Sequence, residues 1–175
     1  GDVYKRQSEA SINIARRRAE IRKLENIRWV HDSLLSLPRL GLGEFDYINC
    51  VGVLHHLADP DAGLEALLSV KKPSGALGVM VYGTYGRTGI YQMQSLLRMI
   101  AGDAATIPAK LEIAKEVLQH LPSSNWYSRG RTPNGDDVAL GDAGIYDLLL
   151  HSRDRSYTVQ ELYAWFADQH GLHLE

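Results

Sequence analysis

Phe45-Asp46-Tyr47-Ile48-Asn49-Cys50-Val51-Gly52-Val53-Leu54-His55-His56-Leu57-Ala58-Asp59-Pro60 is the stretch on which the fold turns. Its first seven residues, 45–51, are dense in apolar and β-prone side chains, the pattern of a strand covered on both faces. A turn over 52–56 follows. Asp59 and Pro60 then supply a cap and a first-turn proline for a helix reaching about residue 70, with Leu64, Leu67 and Leu68 facing inward. Lys72-Pro73-Ser74-Gly75 stops that helix, and residues 76–82 read as another strand. Strand, helix and strand joined by a crossover of this length make a βαβ unit, so the sheet is expected to be parallel.

Upstream, Ser8 can cap a helix over 8–24, where Ile12, Ala15, Ala19 and Leu24 recur at near-helical spacing. Residues 27–32 predict a strand ending at Asp32, and 34–44 a loop broken by Pro38, Gly41 and Gly43. Downstream, helices are predicted over 90–101 and 108–121, irregular polar chain over 125–142, and a short helix over 144–151. Thr158-Val159-Gln160-Glu161 has the form of a capping box opening a helix to about residue 170. Gly171 stops it, and Leu172 is expected to begin a strand. The reading is one α/β domain over 1–175: core strands and helices over 8–83, a helical insertion over 84–155, and a last helix and strand start over 156–175. The insertion alone is too small for a secure core.

Composition narrows the function. A net charge of −2 gives no basic surface for a phosphate backbone, so no nucleic-acid partner is expected. The densest basic run, Arg16-Arg17-Arg18 with Arg22 and Lys23, has Glu20 and Glu25 beside it and reads as a solvated helix face. With one cysteine, Cys50, there is no internal disulfide, and a cytoplasmic location without a membrane span is the expectation. His55 and His56 lack a third ligand at a telling spacing, so no metal site is expected. Gly41-Leu42-Gly43 precedes a strand and leads into no helix, so it fails as a phosphate-binding glycine loop.

The 45–60 segment, with the turn and strand that follow it, resembles the fourth strand, fourth helix and fifth strand of the class I S-adenosylmethionine-dependent methyltransferases. In that Rossmann-like family the pattern is F-D-x-I, then V-L-H-H-L, a D-P helix cap and an L-x-P-G-G turn. Lys72 stands where leucine is usual and Ser74 where the first glycine of the turn is usual. The resemblance covers residues 8–83 well and 156–175 more loosely. It implies a partial Rossmann-like methyltransferase sheet, parallel strands with flanking helices, plus a helical insertion. It also implies S-adenosylmethionine as cofactor and a small-molecule or protein methyl acceptor as partner.

The resemblance places Asp32 beside the adenine, with Ser33 offering a backbone amide, and runs Cys50, Val51 and Gly52 past the methionine part; Asp32 also reads as a residue that only caps or turns the chain after its strand. That agrees with elementary topology, since ligands of open parallel sheets sit beyond the carboxyl ends of the strands. Cys50 reads equally as a small buried hydrophobe. His55 admits two roles, a general base with a pKa near neutrality or a brace for the turn. The insertion is expected to face the acceptor through Tyr82, Tyr85, Arg87, Tyr146, His151 and Arg155. Arg87 and Arg155 can grip an anionic acceptor or pair with Asp147 and Asp154 to pin the insertion, with Arg153 in the same cluster.

The family also needs a first strand ending in G-x-G-x-G and a second ending in an acid that holds the ribose. Residues 1–7, which precede the Ser8 helix, lack an apolar run and a terminal acid. They read as a lead-in foreign to the family, and the chain as a fragment without methyl-transfer activity on its own. A degenerate methyltransferase-like binding domain and a nucleotide-dependent oxidoreductase are the alternative readings.

Overall fold

A computed structural model describes residues 2–6, 8–102, 106–130, 141–151 and 154–175. Arg153 and the stretch 131–140 of the expected irregular segment lie outside the described residues. The chain divides into two compact units, Gly1–Met80 and Val81–Glu175.

The first unit runs β1 (Asp2–Arg6), α1 (Glu9–Ile21), β2 (Ile27–His31), β3 (Phe45–Val51), α2 (Pro60–Leu68) and β4 (Lys71–Met80). β1 pairs with β2 and β3 with β4, both parallel, as the βαβ spacing requires. Residues 1–7 read as a lead-in without an apolar run, yet Asp2–Arg6 forms a strand that pairs residue by residue with Ile27–His31. Backbone bonds build that ladder, and they do not need an apolar run.

Ser8 caps α1 by accepting from the Ser11 amide at 3.3 Å. The helix ends at Ile21, one turn short of Leu24. Ile12 and Ala19 are its buried face, whereas Arg17 pairs in the open with Glu20 at 3.1 Å, as a solvated face should. The expected loop over 34–44 contains a 3-10 turn at Leu34–Arg39, capped by the Ser33 hydroxyl. Such turns close with i→i+3 bonds, so Pro38 near the end of this one is tolerated.

Asp59 accepts from the Asp61 and Ala62 amides at 3.0 and 3.1 Å and starts α2, which buries Leu64 and Leu67. β4 begins earlier and ends earlier than the expected 76–82. Phe45 aligns with Lys71 but Tyr47 with Ala76, so residues 72–75 bulge out of the ladder. Inside that bulge the Lys71 ammonium donates to the carbonyls of Lys72 (2.8 Å), Pro73 (3.4 Å) and Gly75 (3.1 Å). Gly75 is required there, because a Cβ would stand 2.8 Å from the Phe45 carbonyl oxygen.

The second unit opens with β5 (Tyr82–Gly83), a two-residue strand parallel to β6 (Ser156–Tyr157). Between them come α3 (Thr88–Ala101), α4 (Ile107–His120), α5 (Trp126–Gly130) and α6 (Asp142–Ile145), the last continuing as a π-helical turn at Tyr146–Leu150. Met93 and Leu97 of α3, Ala114 of α4, Tyr127 of α5, and Ile145, Leu148 and Leu149 form one buried cluster. Gly89 lets α3 and α5 touch backbone to backbone, since a Cβ there would lie 2.7 Å from the Tyr127 nitrogen. α7 (Val159–Leu162) carries the expected capping box, with Glu161 and Thr158 bonded reciprocally, and continues as a π-helical segment over Tyr163–Gln169. Gly171, at φ +64, ends it and donates to Ala167 O at 2.9 Å. No strand begins at Leu172, whose amide instead donates to Phe166 O at 2.9 Å and closes the helix.

Candidate functional site

The candidate cofactor-side residues all fall in the first unit, at the carboxyl ends of β2 and β3. His31 ends β2, and the chain turns at Asp32, whose Oδ1 accepts from the Ser33 amide at 2.6 Å. The Ser33 hydroxyl accepts from Leu35 N at 3.3 Å and caps the 3-10 turn. Both the amide and the hydroxyl of Ser33 are therefore engaged in shaping this corner, and the amide is turned toward Asp32.

At the end of β3, Cys50 is buried at 5% exposure and Val51 is 48% exposed, so successive side chains leave the strand on opposite faces. The Gly52 amide donates to Met80 O at 3.1 Å and adds one bond beyond the β3–β4 ladder. Gly52 then takes φ +70 and swings the chain away. A Cβ there would meet only Met80 Cε at 3.7 Å, so the backbone conformation and not lack of room calls for glycine.

The 3-10 turn Leu54–His56 follows, with Leu54 at 0% and His55 at 1% exposure. The His55 and His56 rings approach to 4.1 Å between centroids. Gly63 of α2 makes this seat possible: a Cβ would collide with Leu57 and stand 3.0 Å from Leu54 Cδ2. Strand end, turn and helix are thus one packed piece, and His55 is interior to it.

The candidate acceptor-side residues fall in the second unit. Tyr82 is in β5, and the Arg87 guanidinium lies 3.5 Å over its ring. Arg87 Nη2 donates to Asp154 Oδ2 at 3.1 Å, with side-chain exposures of 14% and 2%. Arg155 is exposed and lies 4.7 Å over the Tyr157 ring, which stacks on Trp165 at 5.1 Å. Tyr85 is 82% exposed, Tyr146 37%, and His151 is half-buried. Of the two expected arginines, then, Arg87 pins and Arg155 does not bond Asp147 or Asp154 in any ion pair among the described residues.

Tyr91 and Gln94 also belong to this cluster, and sequence reading passed over them. Tyr91 Oη donates to Asp154 Oδ1 at 3.3 Å, and Gln94 Nε2 donates to Asp154 Oδ2 at 3.0 Å. Burial, and then the Asp154 charge, raise the Tyr91 phenol above its ordinary pKa. The signal was present: Arg87, Tyr91 and Gln94 are polar residues spaced four and three apart, one face of a helix.

Residues 7–77 match a family described as a methyltransferase domain. An uncharacterized protein of a Synechococcus species is 37% identical over 124 residues, 70% of this chain and 30% of that protein. The ubiquinone biosynthesis O-methyltransferase of Acinetobacter baylyi is 30% identical over 67 residues, 38% of this chain and 28% of the enzyme. Among solved structures, PKMT2 from Rickettsia typhi in complex with AdoHcy superposes over 96% of this chain and 34% of its own, with a TM-score of 0.67 at 17% identity. A second structure of the same protein gives 0.63 at 18% identity. The chain spans about a third of the length of these relatives.

Proposed function

The chain has the fold of the class I methyltransferases, its residues 7–77 carrying that family's domain signature, and from this premise we propose that it forms part of an S-adenosylmethionine-dependent methyltransferase. The observation that carries the proposal is the β3 end, where Gly52 at φ +70 turns the chain away from the rim of a parallel ladder directly before a buried turn.

The residues present fit that cofactor. Asp32, the carboxylate at the β2 end, would accept from the adenine amine, and the backbone of residues 50–52 would flank the methionine part. S-Adenosylmethionine supplies an electrophilic methyl on a sulfonium, and the protein's task is to align an acceptor in line with it and exclude water. The burial of His55 favours its role as brace: it holds the turn that sets the β3 end, and proton removal from the acceptor falls to another group. Tyr82, Tyr85, Tyr146, His151 and Arg155 are the residues assigned to the acceptor, a small molecule or a protein.

The chain holds no G-x-G-x-G stretch, and β1 ends in Arg6, so it offers neither the glycine loop nor the ribose acid of the family. Calorimetry should therefore give the 175-residue chain a cofactor Kd about two to four powers of ten weaker than the full-length protein. In the full-length protein, Asp32→Asn should weaken cofactor binding about 10- to 100-fold. Micromolar binding by the chain alone would overturn the division of the site. An unchanged Kd in Asp32→Asn would remove Asp32 from it.

A further inference from the structure

In the second unit three side-chain hydrogen bonds converge on one carboxylate, that of Asp154. Asp154 lies two residues before Ser156, which pairs with Tyr82, and its side chain is 2% exposed. Its donors are Arg87, Tyr91 and Gln94, all from the incoming segment at the start of α3. Gln94 donates a second time, to Leu148 O in the π-helical turn at 2.9 Å. Beside this, Thr84 Oγ1 and Ser156 Oγ lie 3.1 Å apart and close the strand pair.

Two physical consequences follow. A buried carboxylate and a guanidinium hold each other only while both are present, since either left alone carries an uncompensated charge. The Arg87 guanidinium, fixed at one end by Asp154, is also laid 3.5 Å from the Tyr82 ring and 5.6 Å from that of Tyr91. Its charge is spent inside the protein, so it does not serve as a grip for an anionic ligand.

We infer that Asp154 is a positioning residue: through Arg87 it sets the Tyr82 ring, and through Tyr91 and Gln94 it locks the first turns of α3 and the π-helical turn to the returning strand. Insofar as Tyr82 meets the acceptor, this rests on the proposed function; the lock itself does not.

Hydrogen exchange read by mass spectrometry on the 175-residue chain tests the lock. Asp154→Asn and Arg87→Met should each speed exchange over residues 88–94 and 146–150 by about tenfold or more, leaving α1 and α2 unchanged. Combining them should add nothing to Asp154→Asn alone, because Arg87 acts through Asp154. Arg87→Lys, which keeps the ion pair, should recover most of the protection. Additive effects, unchanged exchange at 146–150, or equal loosening of the first unit would overturn the inference. In the full-length protein the same variants should raise the acceptor KM with cofactor Kd unchanged. Absence of any wild-type methyl transfer would count against the proposed function alone, and the exchange data would still decide the role of Asp154.

Discussion

The two units of the chain are ordered by different means. In the first, order is local and repetitive: two parallel ladders, a capped helix between strands, and glycines at the places where backbone must turn or touch. In the second, a two-residue strand pair and several short helices depend on one apolar cluster and one buried carboxylate contacted from 60 to 67 residues away along the chain. A structure built from repeated short-range bonds loses them one at a time. One built around a shared acceptor loses them together.

This contrast can be broken by substitution, from the largest effect to the smallest. Leu64→Ala, at a side chain of 0% exposure, should cost the first unit about 2–5 kcal/mol. The loss should show as a lower midpoint for exchange in α1 and α2, with α3 untouched. Equal loss in both units would mean that they unfold as one and would end the distinction. Gly89→Ala should act on the other side only, forcing α3 and α5 apart at a cost of about 1–3 kcal/mol, read from near-ultraviolet circular dichroism of Tyr127 and its neighbours. A silent Gly89→Ala would show that the helices are less tightly apposed than the backbone distances indicate.

A finer test lies in α7. Thr158→Ala removes the cap acceptor for the Glu161 amide and should cost about 0.5–2 kcal/mol, seen as fraying of residues 158–162. The Thr158 backbone amide and hydroxyl hold the Glu161 carboxyl below its ordinary pKa. The sign follows from linkage: the carboxyl is depressed in the folded state, so its contribution is complete above the unfolded value of about 4.3 and fades as pH falls through the folded one. Acid titration of α7 protection should therefore flatten in Glu161→Gln. The smallest effect belongs to Lys72→Ala. Its 2.8 Å bond to Asp46 is on the surface, with side-chain exposures of 41% and 84%, and no change in unfolding midpoint is expected.

The same contrast explains what the sequence disclosed. β3 and α2 were legible because an apolar run, a cap and a first-turn proline each announce themselves within a few residues. Cys50, Val51 and Gly52 followed as the strand end, and the positive φ of Gly52 gives its glycine a reason. β6 was not legible, since two residues carry no period. β1 was missed for the opposite reason: its backbone pairs without the apolar signature that strand reading looks for. The seating of Leu54 depends on Gly63 leaving room nine residues later, and the choice of Asp154 over Asp147 as the partner of Arg87 depends on where the chain returns. Neither is a property of local spacing.

The bulge in β4 gives this protein a built-in gauge. Lys71 and Lys72 are chemically alike and adjacent, yet one ammonium is enclosed by three carbonyl oxygens and the other reaches out to a surface carboxylate. An acylating reagent needs the free amine with its lone pair exposed, so Lys72 should be labelled first and Lys71 should lag for as long as the carbonyls hold it. The ratio of the two modified peptides would then report, from a single digest and without any assay of activity, whether the 72–75 loop is closed in a given preparation.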